Sequence, residues 1–138
     1  MKAAPRVGLV GEATFQVETR HLIDFAKDGM PAVLCTPALV GFLERTARQA
    51  LTPCLEPGEN SVGVEIDLQH LAATPLGAQV TCLARVVHVD GRRITFHLEA
   101  RDDHELVARG SHQRRIIRVD RLAKAVAAKT GPGEARPS

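Results

Sequence analysis

The stretch Thr36-Pro-Ala-Leu-Val-Gly-Phe-Leu-Glu44 opens the segment that decides the fold. Thr36 is predicted to cap a helix and Pro37 to be its first residue, where the missing backbone N–H costs nothing. The helix is predicted to run to about Leu51, because small and apolar side chains recur every three to four residues and share one face. These side chains belong to Leu39, Phe42, Leu43, Thr46, Ala47 and Ala50.

Glu44 is the unusual residue of this helix. Its neighbours one turn away are Val40, Gly41, Ala47 and Arg48, so most of its surroundings are small or apolar. The position predicts a half-buried carboxylate that faces a site. The alternative is an exposed Glu44 that pairs with Arg48 at i+4.

Thr36 is a second candidate, and helix geometry limits how it combines with Glu44. The helix N-terminus offers oriented N–H groups that can bind a developing oxyanion. The alternative is that capping occupies the hydroxyl. Eight residues along a helix span ~12 Å, so the two side chains cannot hydrogen-bond within one chain. Either they contact different parts of one substrate or they meet across a dimer interface.

The composition is that of an ordinary soluble protein. The 138 residues include 44% hydrophobic and 25% charged residues, which fits a single domain, residues 1–138. A net charge of +2 and an aromatic content of 3% argue against nucleic-acid binding. The three cysteines have neither disulfide-framework nor zinc spacing, which indicates a reducing compartment. No apolar run approaches the ~20 residues that cross a bilayer, so a cytoplasmic protein with no membrane partner is expected.

Strand patterns follow the helix. Alternating side chains predict four strands in succession, and Asp90-Gly91 is a strong hairpin signal. The predicted strands are Ser61–Leu71, Gln79–Val89, Arg92–Arg101 and Leu106 to about Arg118, with an earlier strand at Ala13–Thr19. One apolar helix before a mostly antiparallel sheet predicts the α+β class, with the sheet wrapped round the helix.

The remaining segments are predicted from turn and capping residues. Residues 1–12 are expected to be a loose lead-in, and the irregular segment 20–34 is either a packed surface loop or a lid. Asp120 is predicted to cap a short helix, Arg121–Lys129, which ends at Gly131-Pro132. Residues 131–138 are expected to be a disordered tail.

His70 is the third candidate. It is in phase with every second residue from Val62 to Leu68, so it is predicted to share the apolar face at the end of its strand. A neutral imidazole there suits acid–base chemistry near pH 7, with Glu44 as its proposed partner. The alternative, which periodicity alone favours, is a core histidine bonded to a backbone carbonyl.

Arg114 lies in the polar run His112-Gln-Arg-Arg115 of the last predicted strand. Either the run is a solvated basic edge of the sheet, or Arg114 is a cation that lies near a phosphate or a thioester carbonyl of a substrate. The chain contains no GxSxG, no phosphate-cradling glycine loop and no HExxH. A serine hydrolase, a nucleotide-triphosphate enzyme and a zincin are therefore not indicated, and no metal ligands are expected.

Six short motifs follow one another along the chain. They are Thr36-Pro-Ala-Leu-Val-Gly-Phe-Leu-Glu44, Leu55-Glu-Pro-Gly-Glu59, Ser61-Val-Gly63, His70-Leu-Ala-Ala-Thr-Pro75, Gly91-Arg92 and Gly110-Ser-His-Gln-Arg114. Together they resemble the fluoroacetyl-CoA thioesterase-like family of hot-dog fold proteins. The resemblance implies a curved antiparallel sheet wrapped round a long central helix. It also implies a homodimer with active sites at the interface, and acyl-CoA thioester hydrolysis without a metal or cofactor.

The same resemblance implies roles for individual residues. Thr36, Glu44 and His70 match the family's catalytic residues, while Gly63 and Arg114 fall where the family contacts the acyl group and its surroundings. One departure concerns the phenylalanines that form a hydrophobic lid in the fluoroacetyl-specific member. The matching positions hold Lys27 and Met30, and Met30 is expected to contact the substrate.

The missing lid phenylalanines affect the expected substrate but not the expected reaction. The resemblance implies hydrolysis of a short-chain acyl-CoA, and fluoroacetyl selectivity is not carried over. Two other functions stay open at this point: a non-catalytic acyl-CoA-binding or sensing module on the same scaffold, and a hydratase of the hot-dog type. The half-buried carboxylate argues against the first, because a pure binder has no need of so costly a group.

Overall fold

The computed structural model describes residues 1–131, and its elements have the predicted order. They are β1 (Val10–Gln16), α1 (Thr36–Leu51), β2 (Glu59–His70), β3 (Gln79–Asp90), β4 (Arg93–Arg101), β5 (Leu106–Arg118) and α2 (Val119–Thr130). The strands form one antiparallel sheet in the order β1-β3-β4-β5-β2, with α1 packed against it. The predicted α+β class, with a sheet curved round a central helix, is confirmed. None of the helices in residues 1–131 is long and apolar enough to span a membrane.

The apolar stripe of α1 is what fixes the helix to the sheet. Leu39, Leu43, Ala47 and Leu51 recur every fourth residue, and all four are fully buried. Burying each leucine stabilises the fold by about 2 kcal/mol relative to an exposed side chain. Phe42 lies at the edge of the stripe and stacks on a ring of β1. The predicted stripe is therefore confirmed, and it leaves the adjacent face of α1 for polar residues.

The ends of the chain differ from the prediction. β1 starts at Val10 rather than Ala13, and the expected loose lead-in is tied down at its first residue, where the Met1 ammonium lies 2.9 Å from Glu59. The last helix begins at Val119, so the predicted cap, Asp120, lies inside its first turn, where Oδ1 accepts a hydrogen bond from the Arg121 N–H. Apart from Gly131, the tail predicted to be disordered lies outside the described residues.

A bulge in β2 changes which side chains face α1. The pairing of β2 with β5 shifts between Gly63 and Glu65, so the alternation before the bulge is out of phase with the alternation after it. Ser61 and Gly63 pair with inward residues of β5 and face α1, as do Ile66, Leu68 and His70 further on. The prediction that Val62 and Val64 share a face with His70 is wrong, because it assumed one uninterrupted alternation. The prediction that His70 faces inward is confirmed.

Candidate active site

Thr36 and His70 meet at the N-terminus of α1. The N-cap of the helix is Cys35, not Thr36 as predicted, and no side chain caps it. The Thr36 hydroxyl is therefore not consumed by capping, and it shares a 2.8 Å hydrogen bond with Nδ1 of His70. The end of β2 is held there by the Leu71 N–H, which donates to the Val107 carbonyl at 2.7 Å. The structure thus brings together two residues that lie 34 positions apart in sequence.

The imidazole of His70 is held neutral by its surroundings. Burial lowers its pKa, and the nearby backbone of Ala72 opposes that shift by less. Nε2 is buried, and no group in residues 1–131 reaches hydrogen-bonding geometry with it. Nδ1 bonds to the Thr36 hydroxyl and the backbone of Ala72 lies near the ring, so the alternative that periodicity favoured, a core histidine bonded to a backbone carbonyl, is met only in part. Nδ1, which shares the hydrogen bond with Thr36, lies on the side of the α1 N-terminus.

Glu44 lies in a second group of polar residues, further along α1. Its side chain is 40% exposed, which agrees with the predicted half-buried position, and Oε2 lies 3.5 Å from Nη1 of Arg114. The alternative pair with Arg48 is not formed, since Arg48 donates to Asn60 at 3.2 Å. Glu44 was also proposed as the partner of His70. Within one chain this is wrong: the partner of His70 is Thr36.

Arg114 is a buried cation held from several sides. It is 5% exposed, so a solvated basic edge is ruled out. Nε donates to Ser61 Oγ at 2.8 Å, Nη2 to the Ser61 carbonyl at 2.9 Å, and Nη1 to Nε2 of His112 at 3.2 Å. Burial lowers the pKa of the guanidinium, and the Glu44 carboxylate opposes that shift. The arrangement presents one fixed positive group to Glu44.

His112 completes this group and has a single consistent protonation state. A guanidinium can only donate, so Nε2 of His112 must accept, and Nδ1–H donates to the Glu65 carbonyl at 2.8 Å. Burial also lowers the pKa of this histidine, which keeps the ring neutral. Sequence reasoning missed Ser61 and His112. The signal for His112 was its even spacing from Arg114 on β5, which places both on one face.

Gly63 leaves the space that the Glu44 carboxylate occupies. A Cβ built on Gly63 would lie 2.6 Å from Glu44 Oε2 and 3.3 Å from Cε1 of His112. Gly63 is not among the glycines with a positive φ, so close approach rather than backbone conformation requires a glycine here. A cavity of about 250 Å³ opens beside it, lined by Glu44, Gly63, Val64, Glu65, Ile66 and His112.

For the thioester hydrolysis that the resemblance implies, Gly63→Ala is expected to lower kcat by about 10- to 100-fold, because the added methyl group displaces the carboxylate of Glu44. The measurement is steady-state thiol release together with the thermal midpoint. Gly41→Ala is the matched control, since its Cβ would meet only Arg45 Nη2 at an ordinary 3.6 Å. Equal kcat values for the two variants would show that the contact with Glu44 is unimportant.

The two groups are separate within one chain. Thr36 and Glu44 lie eight residues apart on α1, ~12 Å along the helix axis. Met30 lies in the segment before α1 with its side chain 46% exposed, and its amide donates to the Phe25 carbonyl at 3.4 Å. Its contact with substrate stays a prediction. No cluster of three or more His, Cys, Asp or Glu side chains suited to a metal ion occurs in the part of the chain that the structure describes.

Comparison with known proteins gives one consistent result. The model of a family described as fluoroacetyl-CoA-specific thioesterase matches residues 17–120. The fluoroacetyl-CoA thioesterase of Streptantibioticus cattleyicolor is 37% identical over 118 residues, which are 83% of this chain and 84% of that protein.

Solved structures agree with the sequence matches. The fluoroacetyl-CoA thioesterase FlK superposes with a TM-score of 0.85 at 32% identity, covering 94% of this chain and all of that one. A hot-dog-like protein from Thermanaerovibrio acidaminovorans superposes with a TM-score of 0.84 at 28% identity, covering 91% of this chain and 93% of that one. The fold predicted from the six motifs is therefore confirmed as a hot-dog fold.

Proposed function

This chain belongs to the fluoroacetyl-CoA-specific thioesterase family, and we propose that it hydrolyses short-chain acyl-CoA thioesters with Thr36, His70 and Glu44 as its catalytic residues. The observation that carries the assignment is the hydrogen bond between Thr36 and His70 at the N-terminus of α1. A pure binding module has no use for this pair or for the carboxylate that Arg114 holds nearby. The proposed products are the free acid and CoA.

The proposed site is completed by a second copy of the chain. β2 is an edge strand, and its Val64 and Ile66 side chains are 45% and 36% exposed. An exposed apolar edge invites pairing with another strand, and an isologous dimer would align two such edges. In that dimer the Thr36–His70 pair of one subunit faces the Glu44, Gly63 and Arg114 group of its partner, which resolves the ~12 Å separation on one helix.

The proposed mechanism divides the chemistry between the two groups. Backbone N–H groups at the start of α1 or at Gly63 polarise the thioester carbonyl. Glu44 either attacks the carbonyl carbon, releasing the thiolate and leaving an anhydride that water hydrolyses, or it takes a proton from an attacking water. His70 gives or takes the proton that the CoA thiolate requires, and Thr36 orients the acyl group. Single-turnover hydrolysis in ¹⁸O water tests the routes: label in Glu44 would exclude the general-base route, because water oxygen enters the side chain only when water attacks the Glu44 carbonyl of the anhydride.

Substrate range follows from the segment before α1. Lys27 and Met30 stand where the fluoroacetyl-specific member has lid phenylalanines, so we propose a short-chain acyl-CoA substrate without selectivity for the fluoroacetyl group. The test is thiol release from a panel of acyl-CoA thioesters that includes acetyl-CoA and fluoroacetyl-CoA. Saturable CoA binding without thiol release from any thioester would instead support the binding-module alternative.

We place the enzyme in the cytoplasm, where the three cysteines, which form no disulfide, stay reduced.

The ring of His70 is expected to titrate below the ordinary histidine pKa of about 6.5, because burial disfavours its charged form. The imidazole is then neutral throughout the neutral range and gains a proton only as the pH falls below that lowered pKa. Heteronuclear NMR of the ring carbons measures the midpoint, and His70→Ala assigns the signal, which is needed because burial lowers the pKa of His112 too. A His70 midpoint at or above 6.5 would contradict the expectation.

A further inference from the structure

A positively charged groove runs along α1 away from Glu44. It lies between the second half of the helix and the start of β2, has a volume of about 590 Å³, and includes Lys2, Arg45, Arg48, Asn60 and Glu56 in its lining. We refer to it as the α1–β2 groove. Its size falls in the range of pockets that take up small molecules and cofactors.

The cations of the α1–β2 groove are available to a ligand. None of Lys2, Arg45 and Arg48 forms an ion pair with any carboxylate of residues 1–131. Arg45 is positioned over the Phe42 ring at 4.6 Å, and Arg48 is oriented by its hydrogen bond to Asn60. The groove therefore offers guanidinium groups that are held in place but not neutralised, which is the arrangement that suits phosphate.

The groove adjoins the candidate active site. Arg48 follows Glu44 by one helical turn, ~6 Å, and its charge is close enough to Arg114 to lower the pKa of that group. Asn60, which holds Arg48, precedes Ser61, which holds Arg114. The lining of the α1–β2 groove therefore begins about one helical turn from Glu44.

From this arrangement we propose that Lys2, Arg45 and Arg48 bind the phosphate groups of the CoA moiety. The inference rests on the proposed function and adds to it the residues that recognise the part of the substrate remote from the thioester. CoA carries a diphosphate and a 3′-phosphate at the far end of its pantetheine arm. Two carboxylates also line the groove. Glu59 is paired with Met1 and Arg92, whereas Glu56 forms no ion pair within residues 1–131.

A second basic groove is the obvious competitor, and it is less suitable. It has a volume of about 260 Å³ and is lined in part by Arg92, Arg115, Arg118 and Arg121. Two of these are already paired, Arg92 with Glu59 at 3.0 Å and Arg118 with Asp120 at 3.4 Å. Arg115 follows Arg114 on β5 and therefore points to the opposite face of the sheet, away from Glu44.

The test compares two thioesters of the same acyl group, one on CoA and one on pantetheine, which lacks the phosphates. For the variant Arg45→Gln/Arg48→Gln, KM for the acyl-CoA is expected to rise about tenfold or more, because charge-assisted bonds to phosphate are lost. KM for the acyl-pantetheine is expected to stay within twofold of wild type. Arg121→Gln, from the competing groove, is the matched control and should leave both KM values unchanged.

The salt dependence of KM gives a second readout, and its wild-type part does not depend on folding of a variant. KM of the wild type for acyl-CoA should rise with ionic strength more steeply than KM for acyl-pantetheine, and the double variant should lose that difference. Equal effects of the double variant on both thioesters, or an increase of KM in Arg121→Gln alone, would overturn the proposal. If the wild type releases no thiol from either thioester, the proposed function fails, and calorimetric binding of CoA to wild type and double variant still decides whether the groove takes phosphate.

Discussion

Glu44→Gln is expected to lower kcat for acyl-CoA hydrolysis by a factor of about 10³ or more, whether Glu44 is nucleophile or general base. The amide keeps the shape of the carboxylate, and its oxygen can still accept from Nη1 of Arg114, so the position of the side chain is preserved. What is lost is the negative charge and the ability to attack or to take a proton. KM should change little, because both routes use Glu44 in the transition state rather than in substrate binding.

The control for Glu44→Gln is Glu65→Gln. Glu65 lines the same cavity, but its side chain is exposed and forms no hydrogen bond or ion pair within residues 1–131, and its backbone carbonyl is the acceptor for His112. We expect kcat of this variant to match wild type. The thermal midpoints of both variants show whether the protein stays folded when Arg114 loses its negatively charged partner. A Glu44→Gln enzyme that keeps more than a tenth of wild-type kcat would remove Glu44 from the mechanism.

The helix was predictable from sequence because its pattern is local. Leu39, Leu43 and Ala47 repeat with the period of an α-helix, and burial of that stripe is what the core requires. The inward direction of His70 also follows from the strand period near it. Predictions of this kind depend on side chains that are close in sequence, within about two helical turns or a few strand positions.

The bulge in β2 was not predictable from alternation. A single extra residue between Gly63 and Glu65 moves Gly63 from the predicted solvent face to the face of α1, where it lies against the Glu44 carboxylate. The one local signal for the bulge is Gly63 itself, because a glycine inside a strand often marks a bulge or a close approach, whereas Val64 fits a regular strand. The resemblance to a known family identified Gly63 as a site residue, whereas the alternation pattern argued against it.

The pairing of polar groups was the least predictable feature. Arg114 bonds to Ser61 across 53 residues, and this contact depends on the register of β5 with β2. Thr36 was expected to cap α1, and only the placement of Cys35 at the N-cap leaves its hydroxyl for His70. Long-range register and the exact helix start are set by the whole packed sheet, so residue types and spacing alone leave them open.

In the proposed dimer, mixing two inactive variants should give the second large effect, a recovery of activity. Glu44→Gln and His70→Ala homodimers should each be nearly inactive, because every site of the first lacks the carboxylate and every site of the second lacks the imidazole. After unfolding and refolding of an equal mixture, half of the dimers contain one chain of each kind. In such a dimer one site has both substitutions and the other is intact, so about a quarter of wild-type activity per chain should return.

The recovery occurs only if the Thr36–His70 pair and Glu44 act across the interface. If each chain formed its own complete site, every site in the mixed dimer would still carry one substitution, and the mixture would stay inactive. Refolding Glu44→Gln with Thr36→Ala should also restore activity, whereas His70→Ala with Thr36→Ala should not, since those two residues share a hydrogen bond within one chain. The different outcomes of the two mixtures distinguish a site shared between subunits from a general benefit of refolding. Activity restored in the mixture of His70→Ala with Thr36→Ala would reject the proposed site, in which Thr36 and His70 of one subunit face Glu44 of the other.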